Sequence, residues 1–175
     1  MIDYEALNAQ QAQQSLPALC DVLQACVADG ASVGFIHADD RETISRFWQD
    51  AVYSIASGDR QLLVAREAGC IVATVMVCYS GMPNGRHRAE ISKLLVHPQA
   101  RRQGIARRLM QQAEALAQAA GQCLLVLDTR SGDIARELYL SLGWRVAGEI
   151  PFYAESTEGE LDATTVMYKT LGRLA

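Results

Sequence analysis

No stretch of this chain is apolar for long enough to cross a bilayer. The longest such run, Cys70 to Tyr79, is strand-length, well short of the ~18 residues a membrane span requires. The opening residues, Met1-Ile2-Asp3-Tyr4-Glu5-Ala6, lack a basic segment followed by an apolar one, so no leader is expected and the expected location is cytoplasmic. Basic charge is not in excess either. The formal net charge is −4, which disfavours a nucleic-acid partner. The five cysteines, Cys20, Cys26, Cys70, Cys78 and Cys123, are odd in number and lie inside apolar patterns. None forms a close pair with metal-ligand spacing, so they read as reduced, mostly buried thiols. His37, His87 and His97 also lack metal spacing, and no metal site is expected. No G-x-G-x-x-G follows a strand, and no G-x-x-x-x-G-K-[ST] occurs. There is no internal repeat, low-complexity tract or linker.

What is present is ordinary for one globular domain spanning residues 1–175, with half of the residues apolar. Residues 1–14 allow a short first strand or a loose start. Ser15-Leu16-Pro17 reads as a helix start with Ser15 as cap. Leu16, Leu19, Cys20, Leu23, Cys26 and Val27 follow at helical spacing up to Gly30. Asp39 or Asp40 opens a second helix, with an apolar stripe of Ile44, Phe47, Trp48, Ala51, Val52 and Ile55, stopped by Gly58. Gln61–Glu67 and Cys70–Tyr79 read as a hairpin turning at Ala68-Gly69. Ala89–Val96 is a third strand. A long helix runs from about Gly104 to Ala120, Cys123–Leu127 is a buried strand, and Ile134–Leu142 is a shorter helix. Arg145–Ile150 and Thr164–Lys169 are the last strands, joined through a polar loop around Ser156–Gly159. The order implies an α/β domain with one mixed, mostly antiparallel sheet, a parallel central pair, and helices on both faces.

The segment richest in chemistry is Leu94-Leu95-Val96-His97-Pro98-Gln99-Ala100-Arg101-Arg102-Gln103-Gly104-Ile105-Ala106-Arg107. A buried strand ends at a proline turn, and a long helix follows. The first N–H groups of that helix have no internal partner and lie at the positive end of its dipole. Gly104 and Ala106 carry little side chain, so an anion can approach the backbone closely. Arg101, Arg102 and Arg107 add positive charge. The physics points to a pyrophosphate.

The pattern [QR]-x-x-G-x-[GA], filled by Arg101, Gly104 and Ala106, resembles the coenzyme-binding motif of the GCN5-related N-acetyltransferases (GNAT). A second segment, Ala135-Arg136-Glu137-Leu138-Tyr139-Leu140-Ser141-Leu142-Gly143-Trp144, is similar to that family's A-x-x-L-Y-x-x-L-G-[FW] stretch. Further segments resemble the tabtoxin-resistance branch: Gly30-Ala31-Ser32-Val33-Gly34-Phe35, Pro83-Asn84-Gly85, Arg88-Ala89-Glu90, Leu127-Asp128-Thr129 and Lys169-Thr170-Leu171-Gly172. The resemblance implies acetyl-coenzyme A as cosubstrate, a small amine as acceptor, and a detoxifying role toward a β-lactam dipeptide toxin, its amine product or another amine. Monomer and homodimer both stay open, and no nucleic-acid or membrane partner is expected. One departure stands out: Gly132 occupies the place where many members carry Asn, so Ser131 or the backbone near Asp133 would take over contacts to the pantetheine arm.

Acetyl transfer to an amine needs a base, because an ammonium has no lone pair and a free amine keeps its proton to about pH 10. The resemblance makes Glu90 the base, at the family's separation before the loop. Asp128, at the end of the strand Cys123–Leu127, is its partner. Tyr139 would give a proton to the leaving thiolate. Leu94, Leu95 and Val96 would pair through their backbones with the pantetheine arm like an added strand. Leu94 N–H would donate to the acetyl oxygen. Ala135 flanks the coenzyme, and Ser32, Phe35 and Tyr153 are candidates for the acceptor pocket, with Trp48, Tyr53 and Phe152 considered beside them. Two other readings stay open: a non-catalytic acyl-coenzyme A sensor, and a protein N-acetyltransferase.

Overall fold

The computed structural model describes residues 1–175. Residues 1–14 hold both a strand, β1 (Ile2–Leu7), and a short helix, α1 (Ala9–Gln14). A capping box starts that helix: Gln11 N donates to Asn8 Oδ1 at 2.8 Å, and Asn8 N donates to Gln11 Oε1 at 2.9 Å. Helix α2 (Leu16–Ala28) follows directly. Ser15 stands at its start without capping it by side chain. The reason is the preceding helix: the Ser15 N–H already donates to the carbonyls of Gln11 and Ala12, which holds the residue at a helix–helix junction. Helix α3 (Arg41–Ser57) is capped by Asp40, whose Oδ1 accepts from Thr43 N at 3.2 Å.

The remaining elements are β2 (Arg60–Glu67), β3 (Cys70–Tyr79), β4 (Arg88–Val96), α4 (Ile105–Ala119), β5 (Leu124–Arg130), α5 (Ala135–Ser141), β6 (Arg145–Glu155) and β7 (Leu161–Thr170). They form one seven-stranded sheet in the order β1-β2-β3-β4-β5-β7-β6. Only β4 and β5 run parallel. This is the mixed sheet with a parallel central pair that the sequence predicts.

Helices cover both faces. On one, Leu19, Leu23, Ile44 and Trp48 pack against Leu62, Val64, Met76 and Leu95. On the other, Ile105, Leu109, Met110 and Ala113 pack against Leu63, Val75, Ile91 and Leu125. Burial on both faces explains why β2 and β3 read as continuous apolar runs rather than alternating ones. Each buried Leu or Ile contributes roughly 1.5–3 kcal/mol relative to exposure.

Irregular pairing shapes the middle of the molecule. Strands β4 and β5 pair only over Arg88–Glu90 and Leu124–Val126, and beyond that point they part. Just there β4 also bulges, setting Lys93 and Leu94 opposite Val75 alone. Lys93 takes a left-handed backbone at φ 53°, the extra residue of the bulge. Thr74 Oγ1 donates to the Lys93 carbonyl at 2.8 Å. The bulge inverts the phase of the strand. Ala89 and Ile91 before it and Leu94 and Val96 after it all pack on the α4 side, whereas Leu95 joins the α2–α3 side.

At the sheet edge β6 also bulges, with Pro151, Phe152 and Tyr153 opposite Ala163 alone. The strand therefore continues past Ile150, where the sequence expects it to stop, to Glu155. A proline lacks the ladder donor, but on an edge strand at a bulge no ladder bond is lost. Strand β5 likewise runs on through Arg130, so Asp128 lies within it rather than at its end. No helix is long and apolar enough to cross a membrane.

Candidate active site

The loop between β4 and α4 is shaped by two left-handed residues, Arg102 (φ 64°) and Gly104 (φ 75°). A β-carbon placed on Gly104 would meet nothing within 4 Å, so its Cα faces open space at the start of α4. That space is a cavity of about 220 Å³ bordered by Val96, Gly104, Ala106 and Leu138. The arginine heads are partly committed elsewhere. Arg101 Nη1 pairs with Asp29 Oδ2 at 2.6 Å, and Arg107 Nη2 donates to Ser141 Oγ at 2.9 Å. Gln103 Nε2 braces the loop by donating to the Ala100 carbonyl at 3.2 Å, and the Ile105 side chain is buried in the core. Toward the cavity there remain the Arg102 side chain, which pairs with no other group, the small Ala106, and the unpartnered N–H groups at the positive end of a 15-residue helix.

From this loop a cleft of about 630 Å³ runs between Leu94–Val96 of β4 and Ala135, Leu138 and Tyr139 of α5. It occupies the gap where β4 and β5 part, so the β4 edge past Glu90 makes no ladder with β5. Such an edge can pair with an extended amide chain. A second cavity, of about 380 Å³, continues toward the loop between α2 and α3 and holds Ser32, Glu90, Lys93, Asp128 and Tyr153. Leu94, Ala135 and Tyr139 border both cavities.

Sheet register explains why two carboxylates meet there. Glu90 is level with Val126, and Asp128 is two residues further on, so both point to the same face. Burial raises the Glu90 carboxyl above the ordinary carboxylate range, and the nearby Asp128 charge raises it further. Asp128 Oδ2 accepts from Thr164 Oγ1 at 3.0 Å. The Tyr139 ring is buried beside Trp144, 6.1 Å between centroids. Its phenol is pushed up to about 12 by burial first and by Asp128 and Asp133 second.

Two predicted residues stand apart. Ser131 Oγ pairs with Thr165 Oγ1 at 2.8 Å and borders a neighbouring groove with Gly132 and Glu149 instead of the cleft. Phe35 packs edge-on against Phe47 at 5.5 Å, within the α2–α3 core cluster. Leu95 also turns its side chain into that core and reaches the cleft only through its backbone. Trp48 is fully buried, whereas Tyr53 and Phe152 are exposed.

Lys93 is the residue that sequence reasoning misses. Strict alternation places it on the face opposite Glu90, and only the bulge brings it round. Its Nζ lies 5.0 Å above the Phe47 ring. Burial lowers its pKa from the usual lysine range, and Cys78, Glu90 and Asp128 offset this in part. The one available signal was a cation in the middle of an apolar strand. Arg130 is the other basic side chain at this cavity, and it is held by Asp133 at 3.0 Å and Asp162 at 3.6 Å.

A profile of the Acetyltransferase (GNAT) family matches residues 17–144. An uncharacterized N-acetyltransferase from the hisH–hisA intergenic region of Azospirillum brasilense is 32% identical over 114 residues. That stretch is 64% of this chain and 66%, just under two thirds, of that protein. Among solved structures, the yncA protein of Salmonella typhimurium, determined with its cofactor acetyl-CoA, superposes with a TM-score of 0.80 at 19% identity, covering 100% of this chain and 96% of that one. An N-acetyltransferase of Staphylococcus aureus Mu50 gives 0.82 at 16% identity, covering 98% and 99%. A ribosomal-protein-alanine N-acetyltransferase of Brucella melitensis gives 0.77 at 21%, covering 97% and 99%. At these identities the structural likeness concerns the fold.

Proposed function

The chain belongs to the Acetyltransferase (GNAT) family, and we propose that it transfers the acetyl group of acetyl-coenzyme A directly to a small amine. The observation that carries this reading is the junction of the two cavities. Tyr139 and Leu94 border both, with the anion loop at the outer end of one and Glu90 and Asp128 in the other. The open space over Gly104 and the free β4 edge suit a pyrophosphate and a pantetheine arm respectively. Acetyl-coenzyme A is a cosubstrate and supplies the thioester carbon.

The protein's own groups then divide the proton work. Glu90, with its raised pKa, accepts a proton from the incoming ammonium through water, and Asp128 shares that charge. Leu94 N–H donates to the carbonyl oxygen as charge gathers on it. The amine nitrogen bonds to the carbonyl carbon and the carbon–sulfur bond breaks. Tyr139, protonated across the neutral range, donates to the sulfur as it leaves and is reprotonated by the proton that the new amide nitrogen sheds, while the proton taken by Glu90 passes to solvent. The burial that raises this phenol also raises the basicity of a thiolate beside it.

A cavity of about 380 Å³ suits a small molecule better than a polypeptide end. The segments that resemble the tabtoxin-resistance branch support a detoxifying role toward a toxin amine or another small amine. Purified protein with acetyl-coenzyme A and a panel of amines should release free thiol. In Glu90→Gln/Asp128→Asn turnover should fall by at least ~100-fold, while the coenzyme dissociation constant stays within about twofold. Undiminished turnover in that double variant would remove the proposed base. Tight coenzyme binding with no thiol release on any amine would instead favour a sensor.

A further inference from the structure

Three charged side chains at the acceptor cavity remain once Arg130 is set against Asp133 and Asp162: Glu90, Asp128 and Lys93. The first two account for the amine. Lys93 has no role in that chemistry, yet the fold goes to some length to place it. A non-glycine residue is held left-handed at φ 53°, which is unfavourable for a side chain with a β-carbon. The outcome is a half-buried ammonium set above the Phe47 ring at 5.0 Å. Phe47 is itself fixed edge-on between Phe35 and Trp48, at 5.5 Å and 5.1 Å.

If Lys93 served only to neutralise Glu90, the two would close into an ion pair. They do not: none of the eight ion pairs in the molecule includes Lys93. The bulge instead carries the ammonium toward the α2–α3 loop, where a β-carbon on Gly34 would come within 3.9 Å of Nζ. The cavity therefore holds two carboxylates and a cation that is not closed into an ion pair with either. This partly buried lysine rests on an aromatic face and closes no ion pair with the carboxylates nearby. A simple alkyl amine would leave it so.

Resting on the acetyltransferase reading above, we propose that Lys93 binds an anionic group on the acceptor, so that the favoured substrates are amines carrying a carboxylate. The ammonium of such a zwitterion lies toward Glu90 and Asp128, and its carboxylate lies toward Lys93.

The test uses matched pairs: L-lysine with cadaverine, L-phenylalanine with phenethylamine, L-methionine with 3-(methylthio)propylamine. The quantity read is the ratio of kcat/KM within each pair. The wild type should favour the carboxylated member of at least one pair. Lys93→Met, which keeps the length and the β-carbon, should lower that ratio by about 10- to 100-fold, the worth of one hydrogen bond to a charged group. Lys93→Arg should restore much of it, which a purely structural lysine would not predict. Calorimetry of the same pairs on the coenzyme-bound protein gives a second reading that needs no turnover. An unchanged ratio in Lys93→Met by both measures, or a wild-type preference for the plain amines, overturns the proposal. Absence of transfer to every amine would sink the acetyltransferase reading, and the binding ratio would still decide the role of Lys93.

Discussion

Replacing Gly104 with Ala separates what the anion loop does for folding from what it does for binding. Gly104 sits at φ 75°, and a left-handed backbone costs a residue with a β-carbon roughly 1–2 kcal/mol. No further clash adds to this, because the new carbon meets nothing within 4 Å. Part of the strain is offset by the lower entropy of the unfolded chain. The net loss should be about 1 kcal/mol, a fall in Tm of roughly 2–4 °C for a protein of this size. Binding should suffer far more. The open space that makes the substitution sterically cheap in the free protein is the space a pyrophosphate would enter. Displacing one backbone N–H contact to a phosphate oxygen is worth roughly 1.5–3 kcal/mol, or about 10- to 100-fold in Kd.

The matched control is Gly121→Ala, just past the other end of α4. Gly121 is also left-handed, at φ 84°, and its β-carbon would also meet nothing within 4 Å. Thermal unfolding should show similar small losses for the two variants. Calorimetric titration with acetyl-coenzyme A should show weakened binding only for Gly104→Ala. If both variants bind alike, the loop is not the pyrophosphate site and the reasoning from the α4 terminus fails.

The two remaining predictions concern pH dependence and stability. Because burial and the Asp128 charge both raise Glu90, the acid limb of kcat/KM should lie above the ordinary carboxylate range, with activity rising as pH rises through it. Asp128→Asn removes the charge contribution but not the burial, so that limb should move to lower pH. A limb that stays put or moves up would dissociate it from Glu90. Glu114 accepts from Trp144 Nε1 at 2.7 Å and from Lys169 Nζ at 3.1 Å, with side-chain exposures of 11% for Glu114 and 23% for Lys169. Glu114→Ala leaves both donors without that partner and should cost about 3 kcal/mol, read as a drop in urea midpoint at constant m-value. A loss under about 0.5 kcal/mol would place it among ordinary surface changes.

Local patterning made most of the elements legible. Helical stripes, glycine stops and an aspartate cap at Asp39 or Asp40 marked α2, α3 and α4, since those signals act over one or two turns. The beginning of the chain was less legible, because the Asn8–Gln11 box is short and Ser15 competes for the same start signal. The end of β6 was obscured by Pro151, whose missing donor matters inside a sheet but not at an edge bulge.

The loop Arg101–Ala106 and the segment around Tyr139 could be proposed from sequence because their patterns are local: a helix start exposes its own N–H groups whatever packs behind it. The sequence alone thus determined the fold class and the family resemblance, and it named the loop proposed to hold the pyrophosphate. What surrounds the reacting atoms was decided by tertiary structure. Glu90 and Asp128 lie on strands separated by α4 and meet only through the β4–β5 register. Tyr139 reaches them only because β4 and β5 part. Lys93 shares their face only because a bulge, sensed across the sheet from β3, inverts the alternation that its own strand would dictate.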